Sequence, residues 1–395
     1  MSLVKIEHVD FFYLAMPDIL DIADGSQDTL LVRIQADGLS GWGECETSPL
    51  VSLANWVTPM SHSICQSVRS SVIGQEIDHP DDIRHLGQLV DRRGLDIAQT
   101  AHTFSGIEIA LWDLLGKRAR LPVYRLLGFD HAYAKTPYAS QLFGETPEAT
   151  YEKARQSRDQ GFRAVKFGWG NYGTGAPEAD DEHLSAARRG LGNDGLLMVD
   201  AGTVWGSNVD QAKLRLPSLT EHRVFWLEEP FVGDALAAYQ ELAAASPDVK
   251  IAGGEGAFNF HMAKHLIDYG KIGFIQIDTG RIGGIGPAKA VADYALEHEV
   301  TFVNHTFTTH LALSASLAPF AGIEACHLCE FPVEASRLAV KLNNHELARH
   351  EDGMVRASEE PGLGVEPNLE AIQEYLVDVE IKVSGKTIYS TPKLP

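Results

Sequence analysis

Six residues able to do chemistry recur along the C-terminal two-thirds of the chain: Asp200, Glu228, Glu255, Asp278, His305 and Glu330. Their successive separations are 28, 27, 23, 27 and 25 residues, each about one strand-plus-helix unit. Each closes, or closely follows, a short apolar run, so all six are expected on one rim of a parallel sheet. Carboxylates crowded at one rim repel unless they share a cation. Asp200, Glu228 and Glu255 come from three consecutive units, and three hard oxygen donors with open positions suit Mg²⁺. Taken singly, each reads equally well as a helix N-cap or a loop acid. Their succession is what points to a metal. Asp278 and His305 stand one unit apart at matching positions. The carboxylate can then accept a hydrogen bond from the imidazole, fix its tautomer and make His305 a general base.

The elements that must carry these residues are visible as eight apolar runs. They are TPYAS (136–140), RAVKFG (163–168), LLMVD (196–200), VFWLE (224–228), KIAGG (250–254), GFIQID (273–278), TFVNH (301–305) and HLCE (327–330). Helical stretches such as DALAAYQELAAA (234–245) and GPAKAVADYALEH (286–298) lie between them. Eight such units predict a (β/α)8-type barrel; a doubly wound open sheet is the alternative. Before the barrel, KIEHVDFFYLAM and TLLVRIQADGLSGWGECE read as strands, the second a hairpin turning at ADGLSG. FSGIEIALWDLLGKRA (104–119) reads as a helix with Ile107, Ile109, Ala110, Leu111 and Leu114 near one face. Together these predict an α+β unit of residues 1–130, followed by a barrel over 131–355. VDVEIKVSGKTIYS (377–390) again reads as strand, so 356–395 is expected to return to the first unit, with 341–376 as the connection.

Composition narrows the partners. The 395 residues carry 33 Lys+Arg against 54 Asp+Glu, a formal charge of −21, which argues against nucleic acid. An anionic substrate must then be held by local cations. The four cysteines, Cys45, Cys65, Cys326 and Cys329, are too few for a disulfide scaffold, so a reducing cytoplasm is expected. Cys326-His-Leu-Cys329 is formally a CxxC, but no second pair is spaced to complete a zinc site. Neither a secretory signal nor a membrane-length apolar stretch is expected.

AVKFGWGNYG (164–173) contains Gly168-x-Gly170-x-x-Gly173, the glycine pattern of a dinucleotide loop. That loop must open directly into a helix, whereas NYGTGAPEADD stays irregular to about residue 180 and brings acids near any phosphate. HMAKH (261–265) lacks the glutamate of a zinc protease, and GRIGGIG (280–286) reads as the turn into the next helix.

The motifs VKFG, VDAG, WLEEP, GGEG, IQIDTGRIGG, VNH and CEFP, with ALWDLLGK upstream, resemble the mandelate racemase branch of the enolase superfamily in order and spacing. The resemblance covers nearly the whole chain. It implies an N-terminal α+β capping domain over a modified (β/α)7β barrel, with no regular helix in the last unit. It also implies that Asp200, Glu228 and Glu255 are Mg²⁺ ligands and that Asp278 and His305 form the dyad. Glu330 is then the acid on the last strand that contacts substrate, while Glu229 has no matching role. Lys166 matches the first lysine of a Lys-x-Lys motif that contacts the substrate carboxylate; the second lysine is replaced by Gly168. The implied chemistry is proton abstraction α to a carboxylate. Racemisation needs a donor on the face opposite the base, so the missing lysine favours a lyase that dehydrates an aldonate or aldarate. Lys166 or Tyr172 remains open as a second base, and a racemase, epimerase or cycloisomerase remains the alternative. A nicotinamide oxidoreductase and a catalytically idle barrel are the readings from other classes. A small-molecule carboxylate substrate and a homo-oligomer, dimer to octamer, are expected. Substrate selection is expected from LDIADGSQ (20–27) and SPLVSLANW (48–56), with Trp56 and the Trp169–Tyr172 loop near the pocket.

Overall fold

In the computed structural model, which describes residues 4–36, 38–344 and 346–394, the eight apolar runs form one parallel eight-stranded sheet. The barrel strands are, in order, Thr136–Leu142, Ala164–Gly168, Leu196–Asp200, Val224–Glu228, Lys250–Gly253, Phe274–Asp278, Thr301–His305 and Leu328–Pro332. Each of the first six pairs with the next in sequence, and the eighth pairs with the first, Glu330 opposite Tyr138. No ladder joins the seventh and eighth strands among the described residues. The Asn304 side chain closes that seam instead: its Oδ1 accepts from the Glu330 N–H at 2.9 Å and its Nδ2 donates to the Glu330 carbonyl at 3.4 Å. The sheet is therefore a barrel, not the doubly wound alternative.

Strand side chains alternate between the two faces of a sheet. Tyr138, Ala164, Met198, Trp226, Ala252, Phe274, Val303 and Leu328 fill the barrel as one buried apolar layer. Trp226 meets Tyr138 edge-on at 5.4 Å and Phe274 at 5.1 Å between ring centroids. Moving two residues along most of these strands puts Lys166, Asp200, Glu228, Gln276, His305 and Glu330 directly above. The plug and the chemistry thus share one strand face. Between the eighth strand and the returning C-terminal segment the one helix among the described residues is the five-residue Arg337–Lys341, whose Leu338 packs into the capping core.

The capping domain is a three-stranded antiparallel sheet, Val9–Ala15, Asp28–Ala36 and Leu39–Cys45, packed on the helix Thr100–Ala119. Asp37 in the expected hairpin turn and His345 in the expected connection lie outside the described residues. The helix begins four residues before the expected start, and Thr103 through Gly116 are all buried. A one-faced amphipathic pattern does not describe it, because the capping sheet covers one side and a barrel loop the other. Gly41 and Gly43 let it lie on the sheet: a Cβ at either would meet the helix carbonyl of Ala110 or Gly106 at 2.1 Å.

The C-terminal part returns to this unit. Leu363 donates its N–H to Asp113 at 2.8 Å and Val377 donates to the Tyr13 carbonyl at 2.8 Å. Tyr389, in the hairpin Glu380–Val383 with Lys386–Ser390, donates its hydroxyl to the Phe11 carbonyl at 2.9 Å. The connection is partly helical, Leu369–Tyr375. No helix among the described residues is long and apolar enough to cross a membrane.

Candidate active site

The C-terminal ends of the barrel strands and the capping loops enclose a cavity of about 300 Å³. Gly168, Asp200 and Glu228 stand side by side in register on the second, third and fourth strands. Glu255 lies two residues beyond the fifth. One carboxylate oxygen from each of Asp200, Glu228 and Glu255 falls within 4.8 Å of the others, an arrangement able to hold a metal ion. Asp200 and Glu228 are deeply buried and Glu255 is partly exposed, and a positive charge already lies among them. Lys166 Nζ is 2.5 Å from Glu228 Oε1, 2.8 Å from Glu330 Oε1 and 3.7 Å from Asp200 Oδ2. Burial works against that ammonium, but Glu228 and Glu330 outweigh it and hold Lys166 charged well above the ordinary lysine range. Burial pushes Glu228 up to about 8 and Asp200 to about 6, with Lys166 pulling the other way. Carboxylates raised in this way gain from a shared cation, so the donor set fits a hard divalent ion such as Mg²⁺.

His305 ends the seventh strand opposite Asp278 on the sixth, and its Nδ1 lies 2.7 Å from Asp278 Oδ2. Asp278 is fixed in turn through Oδ1, which accepts the Gly280 N–H at 2.6 Å. The ring's Nε2 is then the atom free for proton transfer, and it sits 3.3 Å from Glu255 Oε2. Burial opposes charge on this ring, but Glu255, Glu330 and the Asp278 hydrogen bond outweigh it and raise the imidazole to about 10. Glu255's pull weakens once its charge is shared with a cation. Glu330 Oε2 accepts the Thr306 N–H at 2.8 Å, which aims its other oxygen at Lys166.

The structure brings every sequence-predicted site residue to this rim. The residues around it differ from expectation in several places. Tyr172 does not face the cavity; it stacks on Phe143 at 5.1 Å between ring centroids, beside Phe167. Trp56 packs on Phe11 in the capping core, whereas Trp169 lines the cavity. The loop after Gly168 runs to a helix beginning at Pro177, so no helix N-terminus meets Gly168–Gly173. Cys326 and Cys329 are buried free thiols.

Three residues of the site carry no regular sequence signal. Arg281, in the stretch read as a turn, bridges Glu255 at 3.1 Å and Glu46 of the capping domain at 3.2 Å. Glu46 also donates its backbone N–H to the Gly280 carbonyl at 3.2 Å. Burial and Asp278 raise its carboxyl to about 7 against the pull of Arg281. Glu229 is buried beside the acidic triad on left-handed backbone, φ 39°; burial and Glu255 hold its proton on. Only its adjacency to Glu228 in WLEEP hinted at it.

Residues 149–372 match the family described as enolase C-terminal domain-like, and residues 20–128 match the mandelate racemase/muconate lactonizing enzyme N-terminal domain. The chain belongs to the enolase superfamily. Within it, this mandelate racemase-type chain is 28% identical to the D-galactarolactone cycloisomerase of Agrobacterium fabrum, covering 88% of this chain and 90% of that one. It is 29% identical to the D-galactonate dehydratase of Xanthomonas euvesicatoria, covering 87% and 90%. A Rhodobacter sphaeroides structure described as a predicted mandelate racemase superposes with a TM-score of 0.95 at 54% identity, covering 99% of this chain and 100% of that one. Enolase-superfamily relatives of this chain thus include both a dehydratase and a cycloisomerase of sugar-acid chemistry.

Proposed function

We propose that the protein removes the proton α to a carboxylate and dehydrates a hydroxylated sugar acid, an aldonate or aldarate, to a 2-keto-3-deoxy acid. The observation that carries this reading is the one-sidedness of the acid–base groups. His305, aligned by Asp278, stands on one side; on the other, Gly168 faces Asp200 with no room for a side chain. Asp200, Glu228 and Glu255 would hold Mg²⁺, which when bound supplies stabilisation of negative charge developing on the substrate's carboxylate group. Lys166, fixed between Glu228 and Glu330, presents a permanent positive charge to the same carboxylate. His305 Nε2 takes the α-proton and Asp278 stabilises the imidazolium. The same imidazolium then returns that proton to the β-hydroxyl as its C–O bond breaks. Water leaves, and the enol left behind tautomerises to the keto acid. One base thereby serves both halves of the reaction.

Epimerisation or ring rearrangement after the same abstraction is the second reading, supported by the sugar-lactone cycloisomerase among the relatives. The deciding experiment incubates the Mg²⁺-loaded protein with a panel of sugar-acid diastereomers in D₂O. NMR follows the α-position while a 2-keto-acid assay follows product. Keto acid is the expected outcome. Deuterium at the α-carbon with inversion and no keto acid would replace the dehydratase by an epimerase, and activity that survives EDTA would remove the metal from the scheme.

A further inference from the structure

Where a second carboxylate of the substrate would have to go is decided by the charges lining the cavity. Among the described residues that line it, the cationic side chains are Lys166, Arg281 and His305. Each is already engaged: Lys166 by Glu228 and Glu330, Arg281 by Glu255 and Glu46, His305 by Asp278. The capping side adds none. The segment 16–27, MPDILDIADGSQ, contains Asp18, Asp21 and Asp24 and no lysine or arginine. Of these, Asp24 reaches the cavity wall, with Oδ1 taken up by the Ser26 N–H at 2.8 Å.

Glu46 faces the cavity from the same side. Its side chain is 91% buried (9% exposed), one oxygen is held by Arg281, and Oε2 is buried without a hydrogen-bond partner. A buried acceptor left unpaired is costly, and a donor supplied by a ligand relieves it. A hydroxyl is such a donor. A carboxylate is not, and it would bring a further negative charge against Glu46 and Asp24 in a poorly hydrated space.

Resting on the sugar-acid reading above, we propose that the substrate carries one carboxylate only, an aldonate rather than an aldarate, and that Glu46 accepts a hydrogen bond from a hydroxyl at its far end. Glu46 is thus a specificity-determining residue contributed by the capping domain.

Binding tests this independently of turnover. Calorimetric titration at pH 8 of the Mg²⁺-loaded His305→Asn protein compares matched six-carbon pairs, gluconate with glucarate and galactonate with galactarate, with the remaining diastereomers as a panel. The best aldonate is expected to bind at least about tenfold more tightly than its matched aldarate. In the Glu46→Gln, His305→Asn double variant the carboxamide still accepts from a hydroxyl, but the charge is gone and Arg281 is released. Aldarate affinity should then rise about tenfold or more while aldonate affinity changes less than about threefold. Equal binding of the two classes, no binding by either, or aldarate affinity indifferent to Glu46→Gln would each overturn the proposal. Aldonate binding with no keto acid formed by the unmutated enzyme would leave Glu46's role standing and remove the dehydratase reading instead.

Discussion

At position 168 a methyl group would meet Asp200 Cβ at 2.9 Å and Oδ2 at 3.1 Å. The absent second lysine is therefore more than a missing base: the space it would start from is filled by a candidate metal ligand. Gly168→Ala should weaken Mg²⁺ binding about fivefold or more by displacing Asp200, with little loss of thermal stability, as read by metal titration and melting. Adding a lysine there should not create a racemase, which α-deuterium exchange would check. His305→Asn should lower kcat by about 10³-fold or more while leaving the circular dichroism spectrum unchanged, the scale expected for loss of a general base. Protons compete with the cation at Glu228 and Asp200, raised to about 8 and about 6. Below those values the metal must expel them, so apparent Mg²⁺ affinity should rise as pH goes from 6 to 8, with proton release. Titration in two buffers of different ionisation enthalpy measures that release; an affinity flat across this range would contradict it.

Between elements, the helix Thr100–Ala119 ties the cap to the catalytic turn. Glu108 accepts the N–H groups of Ile285 and Gly286 at 2.7 and 2.8 Å and the indole N–H of Trp112 at 2.8 Å. Ser105 accepts the Gly283 N–H at 2.8 Å. A capping-domain carboxylate thus caps the barrel helix Ile285–Glu297, whose preceding turn starts from Asp278 at the strand end and carries Arg281. Glu108→Ala strands those donors and should cost about 3 kcal/mol, visible as a lower melting temperature, and should reduce kcat through the dyad. The barrel strands were legible because each is a short apolar run ending in a polar residue, a local signal with a fixed period. His305, Asp278 and the acidic triad inherited that period. Glu46, Arg281 and Glu108 did not, because their contacts join residues 235 and 177 positions apart and leave no mark on neighbouring sequence. The stretch 104–119 reads as one-faced for the same reason: its second partner lies in another domain.

For the molecule as a whole, capping domain, barrel and C-terminal segment share one buried apolar cluster, running from Leu111 through Ile285 and Leu311 to Leu363 and Ile372, with buried polar joints set into it. Asp113 shows it, accepting from Trp42 of the capping sheet at 2.9 Å, from Leu363 of the returning chain at 2.8 Å and from Lys117 at 2.7 Å. Such joints are rigid while satisfied and expensive when broken, which suits a pocket assembled from two domains. The Asn304 clasp has the opposite character. A ring closed over seven interfaces by backbone ladders and over one by side-chain hydrogen bonds, from the Asn304 carboxamide and the Glu330 carboxylate, has a preferred place to open. His305 and Glu330 flank that place, so breathing of the barrel reaches the proton-transfer group before it reaches the metal ligands on the far side. Hydrogen exchange should find the Glu330 amide among the least protected of the strand amides. Asn304→Asp, which sets a carboxylate oxygen against the Glu330 carbonyl, should speed that exchange and slow catalysis together.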